Sequence, residues 1–122
     1  MNVYGLIAYS FAYALFNVAG AALIKSQIQT GKPSFNGIGD YLIFLLKAKT
    51  LLGLGLVFLA ALILFKALSL YEFTRVIPLS IGINFILTAA LGHFWFHESL
   101  PLMKLSGMGL ILAGSILIAV TK

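Results

Sequence analysis

Apolar residues fill four long runs of the chain, and most of the polar residues collect between them. A membrane-spanning helix needs about 20 mostly apolar residues. Four runs qualify: residues 3–24, closed by Lys25; 51–70, preceded by Lys47 and Lys49; about 75–95; and 101–120, closed by Lys122. Pro101 is expected in the first turn of the last helix, where a proline has no N–H to waste. Pro78 is expected within the first turn or so of the third. A β-barrel strand needs alternating polar and apolar positions, and these unbroken runs lack that alternation.

The links differ in kind. Residues 26–40 hold Gly31, Pro33, Gly37 and Gly39 and read as a loop. Residues 41–50 are apolar with two lysines near their end, which fits either an interfacial helix or an extension of the second span. The links at 71–74 and 96–100 are short, so the helices they join must run antiparallel. The expected fold is an all-α membrane protein with four transmembrane helices in one domain, residues 1–122. Four helices alone enclose little of a pathway, so a dimer is expected.

Composition agrees with that pattern. Hydrophobic residues make up 61% of the 122, and charged residues 9%. Soluble domains carry about 25% charged residues, so this chain has no polar coat for water. The opening run has no basic segment before it and exceeds the length of a cleavable signal core, so it reads as a retained helix. With no cysteine, two histidines and three acids, no metal site, thiol chemistry, cofactor or enzymatic centre is expected. The net charge of +5 sits mostly beside the apolar runs, which suits lipid headgroups and orientation rather than nucleic acid. With four spans, Lys66, Arg75 and Lys122 share one side, and Lys25, Lys32, Lys47, Lys49 and Lys104 the other. That bias of five against three weakly favours a cytoplasmic first loop.

Polar groups inside a bilayer cost free energy unless paired, so each is a candidate for function. In the first helix Ser10, Tyr13, Asn17, Gly20 and Ala21 recur at helical spacing as one small, polar face. In the third, Ser80, Asn84, Thr88 and Gly92 form a strict i+4 stripe. Counting about 1.5 Å per residue puts Asn17 level with Thr88, with Asn84 about one turn away. The stripes would line a shared groove, or simply bind the helices by hydrogen bonds.

Lys66, near the end of the second helix, and Arg75, at the start of the third, are brought to one membrane face by a short link that carries Glu72. Two cations there would hold a phosphate, with arginine able to grip it bidentately, or would snorkel to the interface beside Glu72. His93 and His97 are four apart, but no third ligand is evident. Glu98 is expected to cap the last helix, where the helix dipole favours an anion. In that helix Gly107 and Gly114 share a face and Gly109 and Ala113 make a small-xxx-small pair. These suit a close helix contact, in a dimer or within the monomer.

Residues 94–118, FWFHESLPLMKLSGMGLILAGSILI, and 17–25, NVAGAALIK, resemble the drug/metabolite transporter superfamily, in particular its four-helix small members. Small multidrug resistance exporters of this kind carry a membrane-embedded glutamate in the first helix that binds protons and cationic drug alternately. The matching position here is Asn17, which does not titrate, and the aromatic expected near Ser80 is absent. The chain is more similar to the subunits proposed to flip aminoarabinose-phosphoundecaprenol. Those also lack the glutamate, carry a VAG…K pattern, and keep an Asn-Phe pair fifteen residues by inclusive count from a His-Glu pair, as Asn84–Phe85 and His97–Glu98 do here.

That resemblance implies a transporter of the bacterial cytoplasmic (inner) membrane, moving a polyprenyl-phosphate-linked sugar or similar amphipathic lipid as a homodimer or heterodimer. Tyr13, Asn17, Ser80, Asn84 and Thr88 would shelter the headgroup, and Lys66 and Arg75 would hold the phosphate. The rival expectations are a small multidrug resistance-type exporter of cationic compounds and a non-transporting membrane partner subunit.

Overall fold

The computed structural model describes residues 2–121 and contains five helices: α1 (Val3–Gly31), α2 (Ile38–Leu45), α3 (Ala48–Leu70), α4 (Phe73–Phe94) and α5 (Leu102–Val120). Four of them, α1, α3, α4 and α5, are long and apolar enough to cross a membrane. The protein is a multi-pass, all-α membrane protein.

Each helix begins and ends for a local reason. The Asn2 side chain accepts a hydrogen bond from the Gly5 N–H at 3.3 Å and caps α1. The loop expected from residue 26 starts later, because residues 26–30 contain no glycine or proline to break the helix. Thr30 instead donates its hydroxyl back to the Ser26 carbonyl at 3.0 Å. The stop comes at Lys32, in left-handed backbone at φ 42°, just before Pro33. At 29 residues, α1 is about 43 Å long at 1.5 Å per residue, well beyond the hydrocarbon thickness.

Residues 41–50 divide between the two readings open for them. The first half belongs to the separate short helix α2, and Ala48 already opens α3. Phe44 of α2 is buried and edge-on to Phe35, while Ile38, Tyr41, Leu42 and Ile43 are exposed. Pro101 is the N-cap of α5 rather than its first helical residue. Pro78 is the sixth residue of α4, past the first turn, and the helix continues through it.

α1 is the central helix. It packs most extensively on α3, then on α4, and α5 joins through α4. The α1–α3 crossing is made by two glycines. A methyl on Gly20 would lie 2.5 Å from the Gly53 carbonyl oxygen, and one on Gly53 would lie 2.7 Å from the Gly20 oxygen. Only glycine permits backbones this close. At the α4–α5 crossing, Gly82 faces Ser115, whose hydroxyl lies 2.8 Å from the Pro78 carbonyl.

The best-packed core lies at one end. Leu6, Ala67, Val76, Leu79 and Ala119 form it, one or more from each spanning helix. Away from that end α5 is almost wholly exposed. Phe11, Phe58, Phe65, Leu110 and Leu117 point outward from the spans, a surface that only lipid can solvate at low cost.

Candidate functional site

α1 and α4 run parallel, and their facing stripes meet. The Asn17 Nδ2 donates to Asn84 Oδ1 at 2.9 Å, partly buried. Asn17 is therefore level with Asn84, and Thr88 lies one turn further on, the reverse of the expected levels. The simple residue count failed because it assumed level helix starts: Asn17 is 17 − 3 = 14 residues past Val3 and Asn84 is 84 − 73 = 11 past Phe73, so the two starts lie at different depths. The Thr88 hydroxyl donates to its own helix at the Asn84 carbonyl, 2.7 Å away.

On the other side of the asparagine pair the seam stays polar. Ser80 stands one turn from Asn84 on the same face of α4, and Ser10 two turns from Asn17 on the same face of α1. Both hydroxyls are buried and make no hydrogen bond. An unpaired buried hydroxyl costs on the order of 1–3 kcal/mol. Tyr13, between Ser10 and Asn17 along α1, is half-buried. Gly20 does not belong to this face: it turns to α3, and Ala21 turns toward α4.

Beyond the asparagines, toward the far end of α1, the two helices part. A half-open hollow of about 110 Å³ lies there, bordered by Val18, Ala21, Ala22, Thr88, Leu91 and Gly92. Its rim is ionic. Lys25 pairs with Glu98 and stands over the Phe96 ring, 4.8 Å from its centroid. Glu98 reaches this position because the chain reverses at the end of α4. His97 takes left-handed backbone at φ 56°, and the Glu98 N–H donates to the Gly92 carbonyl at 2.8 Å. His93 Nδ1–H donates to the Glu98 carbonyl at 3.1 Å.

Glu98 therefore does not cap α5; that N-cap is Pro101, with no side-chain hydrogen bond. The bond from Lys25, and then the charges of Lys25 and Lys104, hold the Glu98 carboxyl below the ordinary carboxylate range. His93 and His97 do not share a helical face, because α4 ends at Phe94. Among the described residues no group of three potential metal ligands comes together.

The two cations of the proposed phosphate clamp are placed differently. Arg75 is buried in the first turn of α4, with its Nε 3.2 Å from Glu72 Oε2. It lines a second hollow with Glu72, Thr74, Ile118 and Thr121. Lys66 is exposed and does not line that hollow. The buried face of α3 runs through Thr50, Gly53, Ala60 and Ala67, and Lys66 sits about 100° around the helix from Ala67.

Gly107, Gly109 and Gly114 meet nothing within 4 Å of an added methyl, and Ala113 is exposed. α5 packs through Ser115 and Ala119 instead. The small-residue faces are thus not used within the monomer.

Sequence alone closes the first run with Lys25, counts it in the charge bias and in the VAG…K resemblance, and does not pair it with Glu98. The available signal was that each closes one of two helices that four-span topology makes parallel. No family model, no curated protein and no solved structure matches the chain.

Proposed function

We propose that the protein is a lipid flippase of the bacterial inner membrane, translocating a polyprenyl-phosphate-linked sugar or similar amphipathic lipid, and that it works as a dimer. The observation that carries this reading is the acid-free polar seam between α1 and α4. Asn17 and Asn84 are bonded across it at 2.9 Å, and Ser10 and Ser80 leave their hydroxyls unpaired within it. Such groups offer hydrogen bonds to a neutral sugar headgroup without placing a charge in the bilayer. The three acids, Asp40, Glu72 and Glu98, flank or cap the spans rather than lying within them. A proton-for-cation exporter needs a titratable carboxylate at depth, and the seam has none.

Arg75, buried beside Glu72 in the second hollow, is the phosphate contact at the closed end of the bundle, with Lys66 as an outer cation. The bare small-residue faces of α5 are the surfaces on which a second membrane subunit would pack. The same faces equally favour a non-transporting partner-subunit role, because they need an occupant whether or not the seam moves a substrate.

The test is reconstitution into liposomes. Fluorescent polyprenyl phosphate-sugar should equilibrate between leaflets faster than in empty liposomes, and Asn84→Leu should slow it. Protein-dependent, pH-driven uptake of ethidium or guanidinium without lipid movement would reject the reading in favour of the exporter.

A further inference from the structure

The lipid-translocation reading places its phosphate contact at Arg75, at the closed end of the helices. The open end holds a different arrangement. The half-open hollow between α1 and α4 is apolar on its floor and ionic on its rim. Exposed Ala21 and Thr88 form its outer lip, so it faces the surrounding lipid. Its volume of about 110 Å³ is several times the roughly 10–15 Å³ that one water needs on the same measure. With its mostly apolar lining, that space suits the start of an acyl chain.

We infer that this hollow is a berth for a phosphate-headed lipid, with Lys25 as the headgroup contact and Glu98 as an internal anion that occupies Lys25 when the berth is empty. The inference deepens the flippase reading and rests on it only for the choice of a phosphate-bearing lipid. Charge decides the class of occupant. Lys25 lies on the side that also carries Lys32, Lys47, Lys49 and Lys104, against Asp40 and Glu98, so that side is net positive and favours an anion over a cationic headgroup.

The exchange leaves no buried charge, because the Lys25 and Glu98 side chains are both well exposed. Glu98 is held by Lys25 and also feels the charge of Lys104. When a phosphate takes Lys25, Glu98 stays exposed to solvent at the rim, within the field of Lys104. Lys25 offers three N–H donors on a flexible stem, and its ammonium stands 4.8 Å from the Phe96 ring centroid at the edge of the hollow. The chain segment around Glu98 is tied to the end of α4 by the Gly92 and His93 hydrogen bonds. Release of the ion pair therefore frees Lys25 on the rim of the hollow without unfolding the link.

The experiment is native mass spectrometry of the full-length protein in detergent, titrated with dioleoylphosphatidic acid, dioleoylphosphatidylcholine or inorganic phosphate. Phosphatidic acid should bind more tightly than phosphatidylcholine. Lys25→Gln should weaken it about tenfold, the scale of one charge-assisted hydrogen bond, and Lys25→Arg should keep most of it. Glu98→Gln should tighten binding by removing the competing anion. Ala21→Phe, at an exposed position, should weaken binding with Lys25 intact. Inorganic phosphate at equal concentration should displace nothing. Wild-type affinity in Lys25→Gln or Ala21→Phe, no gain in Glu98→Gln, or displacement by inorganic phosphate would each overturn the proposal. Flipping assays report separately: absent lipid movement with this binding pattern present removes the flippase reading and leaves the berth.

Discussion

Gly20→Ala isolates the contact that holds the two most extensively packed helices together. The added methyl would sit 2.5 Å from the Gly53 carbonyl oxygen and 2.8 Å from a Val57 methyl, where ordinary contact starts at 3.4 Å. The shortfall to the oxygen is 3.4 − 2.5 = 0.9 Å. That oxygen is backbone and cannot rotate away, so α1 and α3 must separate. A gap of about 0.5–1 Å forfeits a quarter to a half of the dispersion well for each contact it opens. Overpacking of this kind typically costs about 1–3 kcal/mol, and this site belongs near the upper end because the loss spreads along the whole helix pair. Gly53→Ala presses on the same crossing from the other side, 2.7 Å from the Gly20 oxygen. Once one methyl has parted the helices the second fits more easily, so the double variant should cost less than the sum. Unfolding in mixed detergent micelles, followed by circular dichroism and by energy transfer between labels on α1 and α3, measures all three. A Gly20→Ala change below about 0.5 kcal/mol, the range of a surface substitution, would show that the backbones do not touch as described.

Three further outcomes follow from the same geometry. A double-mutant cycle with Asn17→Ala and Asn84→Ala should give a coupling energy of about 0.6 kcal/mol, and no more than about 1.7, the range for polar pairs between membrane helices; zero coupling would mean the amides do not bond. Gly107→Leu and Gly114→Leu should leave monomer unfolding unchanged, because nothing lies within 4 Å of either, and should weaken crosslinked dimers if α5 is the interface. The Glu98 carboxyl is held below its ordinary range by Lys25, so its contribution is complete above the ordinary carboxylate range and is lost as pH falls through the lowered value. Accessibility of a cysteine placed at Ala22, half-buried in the wall of the hollow, should therefore rise in acid, and in Glu98→Gln it should be raised and independent of pH over that interval.

The helices themselves were legible in the chain because lipid imposes a local rule. Every backbone polar group must be satisfied within the segment, so a long apolar run can only be a helix. Four spans, short links at 71–74 and 96–100, and polar stripes through Asn17 and Asn84 all follow from residue type and period. The level at which the stripes meet does not, since it depends on where each helix starts relative to the others. Gly20 looked like part of the polar face of α1 because periodicity cannot say which neighbour lies beside a residue. Its contact with Gly53 exists only once the α1–α3 crossing is set. Lys66 and Arg75 are close in sequence, yet one is exposed and the other buried, because the rotation of α3 and α4 about their axes separates them. Lys25 and Glu98 are 73 residues apart and meet because α1 and α4 run parallel and the chain reverses at His97. Sequence thus determined the elements, whose hydrogen bonds are local. Tertiary packing decided which charges and glycines became partners, because side chains from different helices meet only after rotation, depth and crossing point are fixed together.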